Sequence, residues 1–152
     1  MTTTTAQATQ VYQLFIRATP EQIWDAITKA EFTEQYFHGV RIEVRDGRRY
    51  SRTGGGMEWD EPVLESDPPR RLVHRWLSYY DDELAAEEPS RVTWEIEPQD
   101  DGTTLLTVVH DRLEGAPKTA EHVSGTGWMY VLSGLKTLLE TGAPLDAPDG
   151  AA

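Results

Sequence analysis

After a short polar tail the chain opens on an alternating run. From Gln10 the residues VYQLFIRA are rich in β-branched and aromatic side chains, and either Tyr12/Leu14/Ile16 or Val11/Phe15 can face a core, which predicts a strand. The period then changes. Thr19 suits an N-cap, Pro20 the first helical position and Gln22 a capping box, while Ile23, Trp24 and Ile27 form the apolar face of a short helix. A second short helix is predicted over residues 31–37, with Phe32, Tyr36 and Phe37 inward and His38-Gly39 as its stop. Hairpin patterns follow. Asp46-Gly47 sits between two alternating runs as a two-residue turn. MEWDEPVLESDPPRRLVHRWLSYY reads as two strands around Ser66-Asp67-Pro68-Pro69, and Pro62 predicts an edge or a bulge in the first of them. Beyond the acidic loop DDELAAEEP, two more strands flank Asp101-Gly102, with Val92/Trp94/Ile96 and Leu106/Val108/His110 expected on the covered face.

The last apolar pattern is helical. In GTGWMYVLSGLKTLLETG, Trp128, Val131, Leu132, Leu135, Leu138 and Leu139 fall in one stripe roughly 120° wide at about 100° per residue, with Ser133, Lys136, Thr137 and Glu140 opposite. Gly142 and Pro144 terminate this helix, and its start is placed near Pro117 to Thr119, with His122 on an early turn. Gly125, Gly127 and Gly134 each cost about 1 kcal/mol relative to alanine inside a helix, so they mark a kink or a place where the helix approaches another backbone or admits something else. The order is strand, two short helices, about six strands in meander and one long helix. These elements form one domain over residues 9–145, with a disordered tail at 1–8 and a loose Pro/Gly/Ala-rich tail at 146–152.

Charge and composition narrow the function classes. The formal charge of −12 repels a phosphate backbone or an anionic membrane surface, so neither nucleic acid nor membrane is an expected partner. Arg41, Arg45, Arg48, Arg49 and Arg52 are interleaved with Glu43 and Asp46 on a hairpin and read as a solvated face. With no cysteine there is neither a disulfide framework nor a thiolate metal site, and the expected location is the cytoplasm. His38, His74, His110 and His122 are isolated in sequence, so no metal and no cofactor is expected. No nucleophile elbow or phosphate-binding loop is present either.

The stretches IRATPEQIWDAIT, SDPPRRLVHRW, TVVHDRL and GWMYVLSGLKTLLETG resemble, in order and over nearly the whole chain, the START-like or Bet v 1-like superfamily. Within it they resemble the bacterial proteins grouped with the activator of heat-shock-protein-90 ATPase. The resemblance implies an α+β helix-grip fold. A curved antiparallel sheet of about six or seven strands would wrap the long C-terminal helix, and the two short helices would close one end. In the family the space between sheet and helix is often a ligand cavity, which implies a binder or carrier of a small hydrophobic or aromatic molecule. A chaperone partner with a place in the stress response is one alternative, and a cyclase- or dehydratase-type enzyme in the same cavity is another. A homodimer is also a candidate assembly.

On that reading the candidate ligand-binding residues are Trp76, Trp94, His74, Val108, His110, Trp128, Leu132 and Leu135. The tryptophans offer large flat apolar area with an N–H handle. His74 shares a strand face with Trp76, and His110 with Val108, so both imidazoles can project between sheet and helix. His110 is the candidate catalytic base, titrating near physiological pH, with Tyr12, Tyr79 or Tyr130 as acid. A satisfied structural histidine is the competing reading at both positions. Glu58 and Asp60 share a face of one strand and would be an acid pair only if that face were inward.

Overall fold

A computed structural model describes residues 8–145. The expected tails at 1–8 and 146–152 lie outside those residues except for Ala8, whose carbonyl accepts from the Leu113 N–H. Seven strands form one antiparallel sheet in the order β1-β7-β6-β5-β4-β3-β2. The strands are β1 (Gln10–Ile16), β2 (Arg41–Arg45), β3 (Arg48–Arg52), β4 (Glu58–Asp67), β5 (Arg71–Trp76), β6 (Ser90–Pro98) and β7 (Thr104–Asp111). Between β1 and β2 lie α1 (Pro20–Thr28) and α2 (Ala30–Thr33); α3 (Asp82–Ala85) follows β5, and α4 (Pro117–Val123) and α5 (Thr126–Thr141) close the chain. The sheet curves around α5, which is the expected helix grip.

Local chemistry explains the start of this order. Thr19 Oγ1 accepts from the Gln22 N–H and the Gln22 side chain accepts from the Thr19 N–H, so both halves of the capping box are present ahead of Pro20. In β1 the face carrying Tyr12, Leu14 and Ile16 turns inward, leaving Val11 and Phe15 exposed. The second helix is shorter than the spacing predicts. It ends at Thr33, because Thr33 Oγ1 donates to the Val40 carbonyl and accepts from the Ile42 N–H, drawing the chain into turns that lead to β2. Tyr36 and Phe37 are still buried, and the Tyr36 hydroxyl donates to the Ala26 carbonyl at 2.7 Å.

The Asp46-Gly47 turn has positive φ at both residues, 53° and 75°, as a two-residue hairpin of primed type requires. Of the two alternatives at Pro62 the bulge is found: the register shifts between Val63 and Glu65, and Leu64 is left exposed.

The terminal helix is two helices. Ser124-Gly125 breaks it, with Gly125 at φ 57°, and α4 meets α5 so closely that a Cβ on Gly127 would lie 2.9 Å from the His122 carbonyl oxygen. The acidic segment is also more structured than a solvated loop. Asp81 caps α3, and the Glu87 carboxylate accepts from the Lys118 N–H, the Thr119 N–H and the Thr119 hydroxyl at 2.8–2.9 Å, capping α4 from another part of the chain. At the far end, Lys136 Nζ donates to the Phe15 carbonyl and the Arg17 N–H donates to Glu140, fastening α5 to the end of β1.

The core lies between the sheet and α5. Leu72, Val92, Trp94, Ile96, Leu106 and Val108 from the strands meet Trp128, Val131, Leu132, Leu135 and Leu138 from the helix, with Ile23 and Ile27 closing one end.

Candidate functional site

The contact between sheet and helix is not uniform. Along β5, β6, β7 and β1 the two surfaces interlock, whereas toward β2, β3 and β4 they part and leave a cavity of about 330 Å³. The lower end of the size range for small-molecule pockets is about 300 Å³. Its walls come from four places. Phe37, His38 and Val40 belong to the segment after α2; Ile42, Arg49, Ser51, Trp59, Glu61 and Trp76 to the strands; Leu77 and Tyr80 to the segment after β5; and His122, Val123, Gly127, Trp128 and Val131 to the α4–α5 junction. The break at Ser124-Gly125 therefore turns a helix corner toward the cavity.

Five aromatic side chains, Phe37, Trp59, Trp76, Tyr80 and Trp128, stand in the lining. Trp128 contacts Trp76 at a centroid separation of 5.9 Å and meets Phe37 edge-on at 6.3 Å. Trp59 lies 6.1 Å from both Tyr79 and Tyr80, and Tyr80 is hydrogen-bonded to His122 at 3.1 Å. The Trp76 indole N–H is held by Ser78 at 3.0 Å. Such rings present flat apolar surface at small cost in conformational entropy.

Two charged residues interrupt this lining. Arg49 on β3 and Glu61 on β4 are direct cross-strand partners, and both point inward at 4% and 1% exposure. Glu61 Oε2 accepts from Arg75 Nε at 2.6 Å, while Glu61 Oε1 is the single buried side-chain N or O atom among the described residues without a hydrogen-bond partner. The Arg49 guanidinium sits 5.5 Å from the Phe37 ring centre and 5.6 Å from that of Trp76. No carboxylate of the described residues is within ion-pairing distance of it. Burial lowers the Arg49 pKa to about 10, so it remains a cation at neutral pH. Burial also pushes the Glu61 carboxyl up, against the pull of its bond to Arg75.

Of the residues singled out from the sequence, Trp76 and Trp128 line this cavity. Trp94, His74, Val108, His110, Leu132 and Leu135 lie in the adjoining packed core. The two histidines form matching units there. The Trp94 indole N–H donates to His74 Nε2 at 3.0 Å, leaving His74 Nδ1–H to donate to the Arg75 carbonyl at 2.9 Å. The Trp128 indole N–H donates to His110 Nδ1 at 3.0 Å, so His110 Nε2–H donates to Ser90 Oγ at 2.7 Å. Each imidazole uses both nitrogens and is wholly buried. The expectation that His110 titrates near physiological pH is corrected: desolvation lowers its pKa to about 3, and that of His74 falls well below the ordinary value for the same reason. With its lone pair held by Trp128, His110 has none left with which to take a substrate proton.

A family model described as Activator of Hsp90 ATPase homolog 1-like protein matches residues 17–140. The chain belongs to this family. Solved structures share its fold. The crystal structure of MLL2253 from Mesorhizobium loti aligns with TM-score 0.71 and 23% identity, over 91% of this chain and 99% of that one. The solution structure of the Aha1 dimer from Colwellia psychrerythraea aligns with TM-score 0.69 and 19% identity, over 90% and 98%. CalU16 from Micromonospora echinospora, as a crystal structure, aligns with TM-score 0.66 and 20% identity, over 88% and 77%. No curated protein matches the sequence. Among the described residues no helix is long and apolar enough to cross a membrane, and no cluster of three or more metal-ligating side chains occurs.

On this family scaffold, Arg49 and Glu61 are the charged cavity residues absent from the sequence candidates, as are the aromatic Phe37, Trp59 and Tyr80. Arg49 was grouped with a solvated arginine face. Arg41, Arg45, Arg48 and Arg52 do pair outward, with Glu34, with Glu43 and Asp46, with Asp60, and with Glu58 respectively. The signal for Arg49 lay in the turn. A two-residue hairpin at Asp46-Gly47 sets Val44 opposite Arg49 and Ile42 opposite Ser51, so the apolar face of β2 carries Arg49 inward with it. Glu58 and Asp60 face outward and Glu61 inward, by the same alternation along β4.

Proposed function

We propose that the protein binds a small, flat, apolar or aromatic molecule in the cavity bounded by β2–β5, the segment after α2 and the α4–α5 junction. The observation that carries this reading is the aromatic-walled space of about 330 Å³, within a family fold whose sheet and helix are otherwise tightly packed. Val131, Gly127 and Trp128 give α5 two duties: the first turns of the helix wall the cavity, and Leu132, Leu135 and Leu138 fill the core. A test is thermal unfolding against a panel of bicyclic aromatic probes. A ligand of the native state at 100 times its Kd adds about 2.7 kcal/mol of stability. Concentration-dependent stabilisation is expected for the wild type, and its loss in a Val131→Trp variant that fills the space. Absence of any stabilisation or tryptophan quenching across the panel would overturn the reading.

A chaperone role is a second reading, and its support is the family to which the chain belongs. Its test is whether the purified protein changes the ATPase turnover of a heat-shock-protein-90 chaperone. Homodimerisation has support of its own in the fold neighbour determined as a dimer and in the exposed Val11 and Phe15 on edge strand β1. Sedimentation of the wild type against Phe15→Ser tests it.

A further inference from the structure

Among the aromatic and aliphatic side chains of the cavity stand two buried charged residues. Four facts define their arrangement. Arg49 is 4% exposed, and its guanidinium lies near the faces of Phe37 and Trp76. No carboxylate among the described residues pairs with it. Glu61, directly opposite on β4, gives one oxygen to Arg75. Its other oxygen is buried and unpartnered in the same cavity lining. Arg75 bonds Glu61 directly and Arg49 attracts it across the strand pair, so two guanidinium groups share one carboxylate inside a protein whose overall charge is −12.

Stability does not account for this arrangement. A buried cation with no carboxylate bonded to it and a buried acceptor without a donor each oppose folding. The histidines on β5 and β7 show that this interior can satisfy its buried polar atoms completely. Arg49 and Glu61 Oε1 are complementary: no carboxylate is bonded to the Arg49 guanidinium, and no donor reaches Glu61 Oε1.

We infer that the ligand is an aromatic acid, its ring system among Phe37, Trp59, Trp76 and Trp128, its carboxylate on the Arg49 guanidinium, and a neighbouring hydroxyl donating to Glu61 Oε1. The inference rests on the binding reading above and specifies the chemistry of the guest. A carboxylate accepts two parallel N–H bonds from a guanidinium, and in a desolvated site such a bond is stronger than a neutral one. A carboxylate alone would meet repulsion from Glu61; an adjacent hydroxyl turns that contact into a hydrogen bond.

The experiment compares three probes of one ring size by calorimetric titration at pH 7.5: 2-naphthamide, 2-naphthoate and 3-hydroxy-2-naphthoate. Wild-type protein is expected to bind 2-naphthoate about tenfold or more tighter than the neutral amide, as a charge-assisted hydrogen bond implies. It should bind the hydroxy acid tighter again. Arg49→Met should erase the acid-over-amide preference, and Arg49→Lys should restore part of it. Glu61→Gln should erase the gain from the hydroxyl. Circular dichroism and a cooperative melt establish that each variant is folded; if Arg49→Met is not, the Arg49→Lys and Glu61→Gln comparisons decide. The inference is overturned if wild type binds the amide as tightly as the acids, or if Arg49→Met keeps the preference; either outcome leaves the binding reading standing. If none of the three binds, the binding reading fails and this inference with it.

Discussion

Two halves of one interior treat buried polarity in opposite ways. In the half built on β5–β7 and β1, two imidazoles accept two indole N–H groups and donate to a carbonyl and a hydroxyl, so every polar atom of those units is used. In the half built on β2–β4, a guanidinium and a carboxylate face a cavity, one without an anion and one with a spare oxygen. The first pattern is what a core does when its polar groups serve the fold, since a satisfied buried hydrogen bond is close to neutral and specifies one packing. The second pattern has a use only if something else completes it. The contrast separates structural from functional polarity without appeal to residue type, for histidine is the residue usually suspected of chemistry.

The comparison predicts effects of very different size. Trp94→Ala should be the most damaging, since the ring is 1% exposed and anchors His74; a loss of about 3–5 kcal/mol in urea unfolding is expected. Retention of wild-type stability would mean that the interlocked half is looser than described.

Next, His110→Phe leaves the Trp128 N–H and the Ser90 hydroxyl without their partner, at a cost of about 1–3 kcal/mol. The same histidine gives a signed pH effect. It binds a proton near 6.5 when unfolded but only near 3 when folded, so its contribution to stability is whole above pH 6.5 and is lost as the pH falls toward 3. Urea midpoints measured from pH 7 to pH 3 should fall less steeply for His110→Phe than for wild type. Parallel curves would refute the burial of a neutral imidazole.

In the open half the expected changes in stability are smaller. Arg49→Met should keep stability within about 1 kcal/mol or raise it, because Glu61 retains its bond to Arg75 and a desolvated cation is removed. Glu61 titrates in the opposite sense to His110. Its folded-state pKa is raised, so the folded state holds the proton more tightly and its contribution diminishes as the pH rises above 4.5. Glu61→Gln should flatten stability on that side. Asp60→Asn, one residue away but facing outward in an exposed pair with Arg48, should move stability by less than about 0.5 kcal/mol. Equal effects at positions 60 and 61 would contradict the inward placement of Glu61.

Much of the architecture was legible because its signals are local. The Thr19-Pro20-Gln22 cap, the Asp46-Gly47 turn and the stripe from Trp128 to Leu139 each name an element and its inner face. The break at Gly125 was visible as a cost in glycine without its location, since the close pass of Gly127 by the His122 carbonyl depends on how two helices meet. The role of Glu87 was hidden for the same reason, as it caps a helix about thirty residues further on. For the cavity, Trp76 and Trp128 stood out as aromatic, but nothing near them in sequence says that the sheet parts from the helix on the β2–β4 side. Arg49 was concealed by its neighbours. Four outward arginines on the same hairpin made a fifth look alike, and only the register set by the turn distinguishes it.

The tryptophans allow the central claim to be tested in one spectrum, because Trp59, Trp76 and Trp128 line the cavity while Trp24 and Trp94 do not. Titrating ¹⁵N-labelled protein with 3-hydroxy-2-naphthoate should shift the Trp59 and Trp76 indole N–H signals and leave those of Trp24 and Trp94 in place. Shifts confined to Trp24 and Trp94, or no shift in any indole at millimolar probe, would contradict a binding cavity on the β2–β4 side of the sheet.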